Sequence, residues 1–196
     1  MKLNLGCGIY HKEDYVNVDF VQPCNLEYDL TNFPWPWEDD SVEEILMLDL
    51  LEHFPYNMTD RILEEARRVL KIDGRLIIQA PDFEHCALAA LDMSAYLCNV
   101  CGNSGKNVDV GPLDKERYCA KCGEPVWKIA ESAIKRLFGG QDREGNWHFT
   151  AFTKDILERK LKTAGFGNFE YLEKHHMWLN WNFKISATKT KDVWDE

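Results

Sequence analysis

The sequence contains no run of about 18 apolar residues, so it offers no candidate for a membrane-crossing helix. It has no internal repeat and no low-complexity stretch, which sets solenoids and extended disordered arrays aside. It is short of positive charge: Lys and Arg total 23 against 33 Asp and Glu, a net charge of −10. A general polyanion binder is usually basic, so nucleic acid is a disfavoured partner. Nor is there room for a signal peptide, because Lys2 already belongs to an expected core strand. The seven cysteines do not form a secreted disulfide set, since four of them fall in two CxxC pairs. These exclusions point to a cytoplasmic protein. What is present suits a folded chain: 196 residues, 45% hydrophobic, make one domain with a small insertion.

The stretch "KLNLGCGIYHKEDYVNVDF", residues 2–20, reads as a strand, a glycine turn, a short spacer and a second strand ending in an acid. In a dinucleotide-binding fold about 20 residues separate the glycines from the ribose-binding acid. Here Asp19 follows Gly8 by only eleven positions, and His11 stands where a third glycine would be. The crossover helix is missing, and with it the helix N-terminus that binds a pyrophosphate. A nicotinamide dinucleotide is therefore a poor fit.

Strands are expected at 2–6, 15–19 and 26–30, followed by a loop made rigid by Pro34 and Pro36. "VEEILML" carries a capping-box-like Ser41 and Glu44, but its short apolar run fits a buried strand better. Residues 59–70 have helical spacing, with Ile62, Leu63, Ala66, Val69 and Leu70 on one face and Thr59 as cap. Gly74 then turns the chain into "RLIIQA". A second helix is expected at 153–164, stopped by Gly165, and "FEYLEKH" and "NFKISATK" make a closing antiparallel pair. Strands alternating with helices or short loops imply a mostly parallel sheet, with ligands at the carboxyl ends of its strands.

The connection from about 81 to 152 is too long for one strand-to-strand link. Within it Cys98, Cys101, Cys119 and Cys122 stand as C-x2-C-x17-C-x2-C. Two such pairs bring four thiolates into a tetrahedron, a closed set that implies structural Zn2+. Residues 82–97 and 126–138 read as helices flanking a ribbon at about 97–125. Between Cys98 and Cys122 there are three Lys and one Arg against two Asp and one Glu, too neutral for a phosphate-binding module.

Taken in order, "LNLGCG", "VNVD", "DL", "ILMLDLLEHF", "ARRVLKIDGRLIIQAPD" and "HFTAFTKDILERKLKTAGF" resemble the class I S-adenosylmethionine (SAM)-dependent methyltransferases, type 11-like in their compactness. The resemblance implies an α/β, Rossmann-like, seven-stranded, mostly parallel sheet with an antiparallel C-terminal hairpin strand, shortened first crossovers and an inserted four-cysteine zinc ribbon. It implies a methyltransferase domain at 1–81 and 148–190, an insertion at 82–147 and a tail from 191. SAM carries no phosphate, which explains how the fold can dispense with the first helix. Gly6, Cys7 and Gly8 would line the methionine end of SAM, Asp19 would accept from the ribose hydroxyls with Phe20 beside it, Asp29 and Leu30 would meet the adenine, and the Leu48 carbonyl would take the methionine amine.

The reaction implied is methyl transfer to a small-molecule or sugar acceptor. An alcohol acceptor needs a base, and Asp49, His53 and His148 are the candidates. Trp35, Trp37, Tyr56, Trp147 and Phe149 suit either an acceptor wall or core packing. Two alternatives stay open: a nucleic-acid or protein methyltransferase docking its substrate through the ribbon, and a non-catalytic scaffold. The shortened crossovers also leave a sheet face that a homodimer would cover.

Overall fold

The computed structural model describes residues 1–91, 96–98, 104–105, 122, 126–142, 145–172 and 181–191. They belong to two compact units, one of Met1–Pro81, His148–His175 and Asn182–Glu196, the other of Asp82–Trp147 and His176–Trp181. No helix among the described residues is long and apolar enough to cross a membrane.

The first unit is built on β1 (Lys2–Leu5), β2 (Val16–Asp19), β3 (Leu26–Glu27), β4 (Val42–Leu48), β5 (Leu70–Pro81), β9 (Phe166–Tyr171) and β10 (Asn182–Lys189). Their order is β3-β2-β1-β4-β5-β10-β9, with β10 antiparallel to both neighbours and the other six pointing one way. The expected seven-stranded architecture is present. Among its described residues are the α-helices α1 (Tyr56–Val69) and α4 (Lys154–Thr163). Thr153 caps α4, its side chain accepting from Ile156 N at 3.2 Å.

The two faces of the sheet differ in kind. Register puts Leu3, Leu5, Val18, Ile45, Met47, Leu76, Ile78, Ile185 and Ala187 on one face, all buried in a single apolar core with Ile62, Leu63, Ala66 and Val69 of α1 and Leu157 and Leu161 of α4. The alternate positions mix Leu46, Leu48 and Ile77 with the polar Asn4, Asn17, Glu44, Arg75, Gln79, Lys184 and Ser186. A parallel sheet normally buries both faces under helices and is apolar on both. Here the helices of the first crossovers are absent, and the face they would cover is satisfied by side chains instead. Asn4 Nδ2 donates to Asn17 Oδ1 at 2.9 Å, and Asn17 Nδ2 to Asn25 Oδ1 at 2.8 Å. Glu44 accepts from Arg75 Nε at 2.7 Å and from the Tyr15 hydroxyl.

The Glu44 cluster makes a pH prediction. Burial pushes the Glu44 carboxyl up, but the bonds from Tyr15 and Arg75 outweigh it and hold the pKa below its ordinary value. A lowered folded-state pKa means the stabilisation is complete above the unfolded value, about 4.3, and is lost as pH falls through the folded one. Glu44→Gln is expected to lower the melting temperature at pH 7 and to flatten its decline on acidification. An unchanged acid limb would remove Glu44 from the account.

Four sequence expectations need correction. The third strand is two residues long, not five, because after Tyr28 N bonds Asp19 O the chain turns at Asp29, whose carboxylate takes Thr31 N. Helix α1 starts at Tyr56 after Pro55, and Thr59 lies inside it, its hydroxyl donating to Tyr56 O at 2.8 Å rather than capping. Leu70 is already strand. In the second unit, 96–97 and 126–128 are strand where helix was expected. They are β6 (Tyr96–Cys98) and β8 (Val126–Lys128), which pair antiparallel, with β7 (Ser104–Gly105) on the other side of β6. Strand pairing outcompetes the helical period there, leaving α2 (Phe83–Leu91) and α3 (Ile129–Phe138), which pack on each other. Of the proposed zinc ligands, Cys101 and Cys119 lie outside the described residues, Cys98 ends β6, and Cys122 is an exposed turn residue. The expected tail from 192 onward also lies outside them.

Candidate active site

The carboxyl ends of β1 and β2 bring Gly8 and Asp19 of the expected cofactor residues together. Gly6 and Gly8 both have positive φ, +64° and +48°. They differ in what a side chain would meet. A Cβ on Gly6 would lie 2.4 Å from Leu50 Cδ1, whereas one on Gly8 would meet nothing within 4 Å. Gly6 is therefore small to let Leu50 of the chain itself pack there, and Gly8 leaves a cradle open to a ligand.

Asp19 bonds the glycine turn directly. Its Oδ2 accepts from Gly8 N at 2.8 Å and its Oδ1 from Val21 N at 3.1 Å, so it ties the glycine turn to the exit of β2. A carboxylate has about four acceptor sites, so both oxygens retain capacity for hydroxyl donors. Phe20, next to it, is exposed, as are Ile9, Tyr10 and Val21 around the turn. An aromatic face beside an acid at a strand end suits a nucleoside: the acid for the ribose, the ring for the base. Cys7 is buried, and that burial, with the charges of Asp19 and Cys24, pushes its thiol up to about 11. It stays neutral and packs; it is no nucleophile. Asp29 Oδ1 accepts from Thr31 N and Oγ1 at 2.9 and 2.8 Å, which orders the turn expected to meet adenine. Leu30 is buried, and its carbonyl takes the Trp35 indole N–H at 3.0 Å. Leu48, half-buried, closes β4. The donor set and the open cradle at Gly8 fit SAM.

Of the three candidate bases, two meet. The rings of His53 and His148 stand edge to face with centroids 4.7 Å apart. His53 ends a 3-10 turn, Leu51–His53, directly after β4. A backbone latch holds the late segment to it: Phe149 N and Thr150 N donate to Glu52 O at 2.9 and 3.2 Å, and the buried Thr150 donates its hydroxyl to Phe54 O. Asp49 has φ +53° and a carboxylate that accepts from Gln79 Nε2 at 2.8 Å and from Asn182 Nδ2.

Glu52, Thr150, Gln79 and Asn182 were not singled out from sequence. Glu52 sits inside "LEHF" and carried a signal, because a charged residue between Leu51 and Phe54 asks for a reason. Asn182 carried none, since only the return of the last strand brings it to Asp49. The tryptophans divide: Trp35 is buried against Trp37, with centroids 6.0 Å apart, in the core, while Trp147 and Phe149 are exposed. A charged cleft lined by Asp39, Asp40, Arg67, Arg68 and Lys189 lies at the amino ends of the strands, away from this chemistry. Its cations serve the fold: Arg68 bonds Asp39, Glu65 and the carbonyls of Trp35 and Trp37, and Lys189 bonds Asp40 and Leu70 O.

Residues 10–78, roughly a third of the chain, match the family model described as a methyltransferase domain. No curated protein sequence matches the chain. Among solved structures the chain is similar to a SAM-dependent methyltransferase of Thermotoga maritima described as a possible histamine N-methyltransferase, with TM-score 0.56 and 16% identity over 96% of this chain and 82% of that one. It is similar to a SAM-dependent methyltransferase of Archaeoglobus fulgidus, with TM-score 0.55 and 14% identity over 96% and 85%. It is also similar to the 1,6-didemethyltoxoflavin-N1-methyltransferase of Burkholderia thailandensis, whose structure holds 1,6-didemethyltoxoflavin and S-adenosylhomocysteine, with TM-score 0.53 and 12% identity over 97% and 71%. At such identities the likeness is one of fold.

Proposed function

Because the chain carries a methyltransferase domain within the fold of SAM-dependent methyltransferases, we propose that it transfers a methyl group from SAM to a small-molecule acceptor. One observation carries this reading above the others: the open cradle at Gly8 and the Asp19 carboxylate are joined by a 2.8 Å hydrogen bond at the carboxyl end of the sheet. That is where open parallel sheets bind ligands. When bound, SAM supplies an electrophilic methyl carbon with a good leaving group.

The rest falls to the chain's own residues. Asp19 accepts the ribose hydroxyls, Phe20 covers the base, and Asp29 with Leu30 frames the adenine. The histidine pair would receive the acceptor and its proton, a transfer that requires hydrogen-bond reach. Asp49, held by the amides of Gln79 and Asn182, orients. Phe149, on the latched segment, would exclude water from the acceptor. The toxoflavin-type relative supports a small acceptor, as does the near-neutral cysteine module. The reading keeps a structural zinc on Cys98, Cys101, Cys119 and Cys122, supported by their spacing.

Asp19→Ala removes charge-assisted hydrogen bonds and is expected to weaken SAM binding by about 1–3 kcal/mol, roughly 5- to 150-fold. Titration calorimetry with SAM and S-adenosylhomocysteine measures it. Unchanged affinity in a folded variant would sink the assignment. Screening acceptors with labelled SAM then identifies the substrate.

A further inference from the structure

We propose that Glu52, His53 and His148 form a divalent-cation site. Each offers one ligand atom, and these atoms lie within 4.8 Å of one another. Zinc at about 2.0–2.1 Å from nitrogen spaces tetrahedral ligands roughly 3.4 Å apart, so no pair need close by more than about 1.4 Å. Both imidazoles are only half-buried, and rotation about their side-chain bonds supplies that movement. Glu52 is the fixed corner, 1% exposed. In such a low-dielectric setting the attraction between a carboxylate and a cation is magnified.

The backbone favours the same arrangement. Two amides of the 149–150 segment bond the carbonyl of Glu52 itself, and Thr150 bonds the carbonyl of Phe54. The ligand-bearing turn and the ligand-bearing segment are thus fastened to each other on both sides of His53, which fixes the separation of ligands far apart in sequence. Two imidazoles and one carboxylate are borderline ligands that suit Zn2+, Co2+, Fe2+ or Mn2+. Three protein ligands leave coordination positions open, as catalytic sites do and a four-cysteine site does not.

Two of the three ligands are the histidine pair assigned above to the acceptor, so a bound cation would lie where that reading puts the acceptor. If that reading holds, the acceptor is an oxygen ligand, a hydroxyl or a hydroxyl next to a carbonyl, rather than an amine without one. The metal site itself does not depend on that reading, because it is tested without SAM or acceptor.

The test is a Co2+ titration of the metal-free full chain, followed by absorption and calorimetry. Thiolate ligation adds sulfur-to-cobalt charge transfer, which a nitrogen–oxygen site lacks, so the cysteine module and this site are read separately. The wild type is expected to bind one Co2+ without sulfur character. His53→Ala and His148→Ala should each weaken that binding by at least roughly tenfold, the loss that even outer-sphere partners cost. Any sulfur signal should stay unchanged. Both substitutions are at half-buried positions and are checked by thermal melting, and either folded variant decides the matter. A wild type with no nitrogen–oxygen cobalt signal, or variants that keep it at full affinity, would overturn the proposal. SAM binding in the Asp19 experiment can fail without touching this result, and the reverse.

Discussion

Replacing His148 with alanine is expected to lower turnover by roughly 100-fold or more while SAM affinity stays near that of the wild type. The imidazole stands edge-on to His53, 4.7 Å between centroids, on a segment latched to Glu52. Whether it takes a proton or holds a cation that binds the acceptor, its loss falls on a step after SAM has bound. The cofactor cradle at Gly8 and Asp19 is built from other strands and is untouched. A different result separates the roles: if acceptor KM rises and kcat barely changes, His148 only shapes the pocket. Full activity in a folded His148→Ala variant would remove the histidine pair from the reaction. His53→Ala should behave alike, since the two rings form one unit and their losses should not add.

The second large effect concerns the two glycines, which look equivalent in "GCG" and are not. Gly6→Ala places a Cβ 2.4 Å from Leu50 Cδ1, with Leu50 Cγ and Cβ at 3.1 and 3.2 Å, in a backbone at φ +64°. Leu50 is buried and cannot simply swing away. Left-handed backbone and overpacking together are expected to cost about 2–4 kcal/mol, seen as a lowered melting temperature. Gly8→Ala meets no atom within 4 Å and should cost only the backbone strain, of order 1 kcal/mol. Its effect should appear in SAM affinity, where the methyl occupies the cradle. Equal losses of stability in the two variants would mean that Leu50 does not pack as the structure shows.

The first strand, its glycine turn and the acid after it were legible because they are local. A strand, a turn with two glycines and an acid eleven residues on can be read along one stretch, and Asp19 does meet Gly8. What that stretch could not reveal is that the acid bonds the turn directly. The histidine cluster was legible only as separate candidates. His53 lies in "LEHF" and His148 in "GNWHFTAF", and nothing in either segment states the distance between them. The errors in the insertion have the same origin: Val126–Lys128 has a helical period in sequence, but its backbone found a partner in Tyr96–Cys98.

The sequence by itself determined the alternation that orders the sheet, the apolar stripe of α1, the glycine turn and the acid that follows it. These depend on periodicity and on neighbours within a turn or two of chain. Only the tertiary structure decided that Asn4, Asn17 and Asn25 would replace missing helices with a hydrogen-bonded row. It also decided that Asp49 would be taken by Asn182, and that Glu52, His53 and His148 would share one corner. Each of those contacts joins segments brought together by strand register, and register is set by the burial of a whole face rather than by any residue in the site.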